Sequence, residues 1–275
     1  MSGMSAIMGI MQSAARKASR GLLRDFGEVE TLQVSRKGPA DFVSRADKKA
    51  EEVIHGELSR ARPGYGFLME EAGEIEGSDK SHRFIIDPLD GTTNFLHGIP
   101  HFAISIALER EIDGNPRELV AGLVYNPVTD DMWFAEKGRG AYINDGTRGG
   151  GDRKLRASQR TDFADCIFAT GVPFKGRPGH ARFLKELHQV MGTSAGVRRL
   201  GAASLDLAWT AAGRYDGFWE RGLAPWDVAA GIVIAREAGL QVESLTGGKP
   251  EETGDIIAAN GTIFPLLQDR VSGRS

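Results

Sequence analysis

A single cysteine, Cys166, leaves the chain without a partner for a disulfide framework or a thiolate zinc site. It lies in the apolar stretch Cys166-Ile167-Phe168-Ala169 and reads as buried filler rather than a nucleophile. Charge of one sign is also missing. The 34 basic and 37 acidic residues give a formal net charge of −3, so no global field argues for nucleic acid or an anionic membrane, and any phosphate affinity must be local. No apolar run approaches the roughly 20 residues needed to span a bilayer. A secretory signal is not expected either, because the basic residues follow the short N-terminal apolar segment. The expectation is a cytoplasmic protein. The six histidines lack metal spacing, with His97 and His101 reading as loop residues, and there is no dinucleotide fingerprint or P-loop. A bound metal would therefore have oxygen ligands.

What is present suits a real core. Hydrophobic residues make up 41% of the 275, enough for one large unit or two intimate halves. Ile7, Met11, Ala15, Ala18, Leu22 and Phe26 recur at helical spacing and predict a first helix ending near Gly27. Arg16, Lys17, Arg20 and Arg24, with no acid among them, also suit an organellar transit peptide; a packed helix is the favoured reading. Residues 31–41 form a polar turn region around Lys37-Gly38-Pro39, either a mobile flap or an ordinary hairpin. A helix over 44–61 follows, with Asp47 in its first turn, where an acid either favours the helix start or points into a site.

Two short strands then end in acids. Residues 65–69 lead to Glu70 and Glu71, and Phe84-Ile85-Ile86 leads to Asp87, where Pro88 has no N–H for a ladder. A carboxylate at the buried end of a strand is costly unless it is paired or holds a metal, and two such ends at one sheet edge concentrate negative charge. Asp90 and the turn Gly91-Thr92-Thr93-Asn94 follow, with N–H groups and hydroxyls able to face an anion. From 102 to 143 short strands alternate with turns as in an antiparallel meander, and the glycine-rich segment 145–154 reads as a loop or linker. Beyond it strands alternate with helices in an α/β rhythm: strands near 167–170, 197, 218–219 and 256–258, and helices over 178–191, 204–212 and 227–238 with another after Asn260. Asp227 opens one of these helices behind Pro225 and, alone, reads as a cap.

Together, Glu70, the run Asp87-Pro88-Leu89-Asp90-Gly91-Thr92-Thr93-Asn94-Phe95, and the late Glu220 and Pro225-Trp226-Asp227-Val228-Ala229-Ala230-Gly231 resemble the inositol monophosphatase family. The stretches 135–142 and 254–258 extend the likeness over nearly the whole chain. The resemblance implies a layered αβαβα sandwich of mixed α/β (α+β) class, here one catalytic unit with an N-terminal half over about 1–148 and a C-terminal half over 149–275. It further implies a lithium-sensitive homodimer and a small-molecule phosphate ester as substrate.

For the site, it implies that Glu70, Asp87 and the carbonyl of Leu89 hold one Mg²⁺, and Asp87, Asp90 and Asp227 a second. Hard oxygen ligands suit that ion. Thr92 corresponds to the threonine that orients the attacking water, and Asp47 to the acid hydrogen-bonded to it. Gly91 and Thr92 would donate N–H groups to the phosphate, while Gly201, Ala202, Ala203 and Glu220 would line the sugar or polyol ring and Arg198 would stand on the substrate side. Inositol 1-phosphate or a related polyol phosphate is the implied ester. Histidinol phosphate, fructose 1,6-bisphosphate and 3′-phosphoadenosine phosphates are alternatives, as is a regulatory association with the transcription machinery. An aspartyl-phosphate route does not fit, because two residues rather than one separate Asp87 from Asp90. Segment 149–153 is longer than usual for the family, and a third, weaker metal involving Glu70 stays open.

Overall fold

The computed structural model describes residues 5–32, 39–111, 114–145, 151–173 and 176–272. Helices α1 (Ala6–Leu32) and α2 (Pro39–Ala61) lead into a long run of strands: β1 (Tyr65–Met69), β2 (Gly73–Ile75) and β3 (Asp79–Asp90). After the short helix α3 (Thr92–Leu96) come β4 (Ala103–Arg110), β5 (Glu118–Asn126), β6 (Asp131–Glu136), β7 (Gly140–Asp145) and β8 (Asp152–Lys154). These eight strands form one sheet in the order β2-β1-β3-β4-β5-β6-β7-β8, antiparallel except where β1 runs parallel to β3.

The second half runs β9 (Ile167–Thr170), α4 (His180–Met191), β10 (Gly196–Arg198), α5 (Ala203–Ala211), β11 (Gly217–Glu220), α6 (Pro225–Glu237), β12 (Gln241–Ser244), α7 (Pro250–Thr253), β13 (Ile256–Ala259) and α8 (Ile263–Ser272). Its five strands pair in the order β10-β9-β11-β13-β12, parallel across the first three and antiparallel beyond.

Alternation along each strand sorts the side chains into layers. Phe84 and Ile86 of β3 pack with Met11, Leu22, Ile54 and Leu58 of the N-terminal helix pair. Ile85, between them, faces the other way, toward Leu207 and Ile232 of α5 and α6 and, across those helices, Phe218 and Ala258 of the second sheet. On the far side of that sheet Trp219 and Ile257 meet Val190 of α4 and Phe264 of α8. Helix pair, sheet, helix pair, sheet, helix pair: this is the expected αβαβα sandwich.

The central pair fits because α6 is apolar on all sides and close to its neighbours. A Cβ on Gly122 of β5 would stand 2.4 Å from the carbonyl oxygen of Ala230, so the absent side chain sets how near α6 lies to the first sheet.

Several elements differ from expectation, each for a local reason. Helix α1 continues past Gly27, since one glycine in a helix costs less than the apolar face gains. Helix α2 begins at Pro39, a residue suited to a first helical position, so Asp47 lies in the third turn and is no cap. Lys37 and Gly38, the heart of the flap expectation, fall outside the described residues. Strand β3 does not stop at Asp87: its pairing with β4 passes from Asp87 opposite Ser105 to Asp90 opposite Ala103, and Pro88 sits in the irregular step, where its missing N–H is harmless. Within the supposed linker, Asp152–Lys154 pairs with β7 as an edge strand, while 146–150 lie outside the described residues.

Candidate functional site

The parallel pairing of β1 and β3 sets Met69 opposite Ile86, and the Glu70 N–H donates to the Ile86 carbonyl at 3.2 Å. Glu70 and Asp87 therefore lie side by side, Glu70 just past the end of β1 and Asp87 still within β3, so only the first of the two strands ends in its acid. Asp87 is 1% exposed, and its Oδ1 accepts the Leu89 N–H at 2.9 Å. Burial first, then the charges of Asp90, Glu70 and Asp227, hold its carboxyl well above the usual carboxylate range. Glu70 is raised too, by burial above all, against the hydrogen bond it accepts from the Asp87 carboxyl.

The irregular step at Pro88 turns Asp90 toward the second half of the chain. There Asp90 Oδ2 accepts both the N–H of Ser204, at 2.8 Å, and the Ser204 hydroxyl, at the start of α5. Burial and then Asp227 nevertheless push Asp90 up to about 7. Asp227, third residue of α6, accepts the Ala224 N–H at 2.7 Å through Oδ2, as a residue that caps the helix start does. Its pKa is raised chiefly by burial.

Asp47 presents another acid from α2. It is 5% exposed, Oδ1 has no hydrogen-bond partner, and burial followed by Glu70, Glu71 and Glu51 pushes it up to about 8. The expected bond from Thr92 to Asp47 is not formed: the Thr92 hydroxyl donates to the Leu89 carbonyl at 3.1 Å. That carbonyl keeps a second lone pair for another partner. Gly91 has φ of +92°, and a Cβ there would lie 3.0 Å from the His101 carbonyl oxygen, so only glycine makes this turn without strain. Asn94 Nδ2 donates to the His101 and Leu200 carbonyls at 2.7 and 2.8 Å, clamping the segment that holds Gly201, Ala202 and Ala203 beside Asp90 and Ser204.

Glu220 ends β11 and is pushed up to about 8 by burial and then by Asp90 and Asp227, with Arg199 and Arg177 pulling the other way. Arg199, rather than Arg198, is the arginine of its stretch that acts on Glu220 and on Asp206. Arg198 turns its guanidinium to its neighbour's carbonyl, Val197 O, at 3.1 Å.

Three contributors were not expected. Ser204 braces Asp90. Asp206, 1% exposed with Oδ1 unpartnered, is raised far above the carboxylate range by burial, then by Glu220 and Asp90. Glu51 accepts the N–H groups of Glu71 and Ala72, both at 2.9 Å, and so fixes the chain just after Glu70. Signals for two of them existed: Glu51 shares the helical face of Asp47, Ile54 and Leu58, and Asp206 is a lone acid inside the apolar helix Ala203–Ala211.

The carboxylates thus share one neighbourhood, but among the described residues they do not form a finished coordination shell. Asp87, Asp90 and Asp227 each spend an oxygen on a protein N–H, and Asp87 and Glu70 share a proton-mediated contact. The donor set still suits a hard divalent ion: all oxygen, buried, with an orphaned Asp47 oxygen and second lone pairs left on the others.

The family model for the inositol monophosphatase family matches residues 4–272. An inositol-1-monophosphatase of Caulobacter vibrioides is 54% identical over 263 residues, which are 95% of this chain and 99% of that protein. The Nus factor SuhB of Escherichia coli K12 is 40% identical over 265 residues, 96% of this chain and 95% of its own. Among solved structures, the extragenic suppressor protein suhB of Bartonella henselae superposes with a TM-score of 0.86 at 54% identity, over 97% of this chain and 98% of that one.

Proposed function

The chain belongs to the inositol monophosphatase family, and from that premise we propose that this phosphatase hydrolyses inositol 1-phosphate or a closely related polyol phosphate with the help of Mg²⁺. The observation that carries the reading is the gathering of Asp47, Glu70, Asp87, Asp90 and Asp227 from α2, the end of β1, β3 and α6, each raised above all by burial and the first four also by neighbouring acids. Such a cluster is tolerable when cations neutralise it and wasteful when they do not.

Glu70, Asp87, the Leu89 carbonyl, Asp90 and Asp227 would hold the ions. When bound, divalent cations supply Lewis-acid stabilisation of the phosphate oxygens and acidify water. The chain's own groups do the rest. Main-chain N–H groups of Gly91 and Thr92 open α3 without intrahelical partners and suit a phosphate oxygen. Thr92 Oγ1 orients the water that attacks phosphorus in line with the departing alkoxide. Asp47, with an unpartnered oxygen and a carboxyl pushed up to about 8, would take up a proton in the reaction. Glu220 accepts hydroxyls of the ring, which favours a polyol, since unpaired groups in a site are penalised. Water attack needs no phosphoenzyme, and trapping one on Asp87 would refute this route.

Because Asp90 is tied to Ser204, both sheets work as a single catalytic unit; a cytoplasmic homodimer is the assembly we propose. A phosphate-release screen over polyol and sugar phosphates, with and without Mg²⁺, tests the reading. Inositol 1-phosphate should lead; faster turnover of histidinol phosphate, fructose 1,6-bisphosphate or 3′-phosphoadenosine phosphate would reassign the substrate. A second role, as a partner of the transcription machinery, is favoured by the 40% identity to the Nus factor SuhB. Copurification with RNA polymerase that survives Asp87→Asn is its expected sign, and its absence at equal expression would remove it.

A further inference from the structure

Glu51 is a buried acid that the proposed chemistry leaves unused. It lies one turn beyond Asp47 on α2, 4% exposed, on the face that carries Ile54 and Leu58 into the core. A carboxylate in that setting is costly unless its oxygens are paired. Both are paired, and to consecutive main-chain donors: Oε2 accepts the Glu71 N–H and Oε1 the Ala72 N–H, each at 2.9 Å.

These donors belong to the turn that presents Glu70. Strands β1 and β2 pair with Met69 opposite Gly73, so Glu70, Glu71 and Ala72 are the whole connection, and Gly73, with φ of +76°, closes it. β2 is only Gly73–Ile75 and ends the eight-stranded sheet, so among the described residues no further strand braces the turn from outside. Glu71 and Ala72 are exposed and add no buried packing. Beyond the β1–β2 ladder, the main chain of the turn is held from two sides. Toward β3, the Glu70 N–H donates to the Ile86 carbonyl at 3.2 Å; toward α2, two shorter bonds reach Glu51. Bonds to an ionised acceptor are the stronger kind.

Rigidity has a chemical meaning at a carboxylate offered to a cation. Mg²⁺ demands near-octahedral oxygens at about 2.0–2.1 Å, whereas Ca²⁺ accepts more oxygens at about 2.3–2.6 Å in flexible arrangements. A fixed Glu70 therefore favours the smaller ion, and loosening it costs the larger one less.

We infer that Glu51 is a positioning residue that sets the preference of the acid cluster for Mg²⁺ over Ca²⁺, by clamping the turn on which Glu70 stands. The inference rests on the reading of that cluster as a divalent-ion site. Its test is calorimetric titration of wild type and Glu51→Gln with MgCl₂ and, separately, CaCl₂, without substrate. Glutamine keeps the length and one acceptor oxygen but turns an N–H group toward the other donor. The Mg²⁺ dissociation constant should rise by about tenfold or more, the scale on which groups that orient metal ligands act, and that for Ca²⁺ should rise far less. A purely structural role would weaken both ions alike. An unchanged ratio of the two constants overturns the inference and leaves the divalent-ion site standing. Ala72→Pro deletes one of the two donors from an exposed position, and its ratio decides if Glu51→Gln does not fold. If wild type binds neither cation, the metal reading fails and the inference falls with it.

Discussion

Replacing Asp90 by asparagine removes a buried charge and keeps an acceptor for the Ser204 N–H and hydroxyl. Turnover should fall by about a thousandfold or more, since the carboxylate is lost from the ion-binding group. The melting temperature of the metal-free protein should hold or rise, because burial and Asp227 both disfavour the charged form. Near-normal phosphate release by Asp90→Asn would show the site misplaced.

The same acids fix the sign of a pH effect. Asp47, Asp90 and Glu220 titrate near 8, 7 and 8 in the folded chain, above the usual carboxylate range near 4 in the unfolded one. Between those values the folded state holds protons that the unfolded state has released. Stability of the metal-free protein therefore falls as pH rises from 5 to 8, and the penalty is absent below about pH 4. Melts in chelator should show that decline, and saturating Mg²⁺ should flatten it; a chelated protein that gains stability toward pH 8 would contradict the account.

At the scale of elements, close approach matters more than propensity. Gly122→Val would push a branched side chain into the Ala230 carbonyl and separate α6 from the first sheet. The expected loss is at least about 1–3 kcal/mol, read by urea denaturation, with the acid cluster disturbed because α6 carries Asp227. What the sequence revealed at this scale followed from periodicity. Three apolar residues before Asp87 located β3, and the alternation of Ile85 against Phe84 and Ile86 was already that of a strand buried on both faces.

Elements whose limits depend on partners far along the chain were not legible. Pro88 reads locally as a stop, and only pairing with Ala103 carries β3 on to Asp90. Pro39 reads as part of a turn until α2 has α1 to pack against. Ser204 shows the same limit in the site: locally it opens a helix, and its bond to Asp90 spans 114 positions. Asp87 and Asp227 stand out in the sequence because unusual residues flank them; Asp206 stands out only as a lone acid in an apolar helix, and its nearness to Glu220 and Asp90, like the action of Arg199 on it, comes from the tertiary fold.

Across the whole molecule, the acid cluster is also the seam between the two sheets. Asp90 binds Ser204, Asn94 binds the Leu200 carbonyl, and the Ser105 hydroxyl donates to the Trp226 carbonyl at 3.2 Å. Cations held by Glu70, Asp87 and Asp90 from one side and Asp227 from the other would join the halves. Mg²⁺ at about a hundred times its dissociation constant should then stabilise the fold by about 2.7 kcal/mol in a single calorimetric transition. Two transitions, with only one moved by Mg²⁺, would mean that the halves do not share the ions.

The central claim, that acids distant in the chain bind the same divalent cations, is tested most directly by titrating Mg²⁺ into wild type, Asp87→Asn and Asp227→Asn in a calorimeter, without substrate. The account predicts more than one Mg²⁺ bound by wild type, and weakened binding in both variants although Asp87 and Asp227 lie on different elements. Wild-type affinity and stoichiometry in either variant would contradict it.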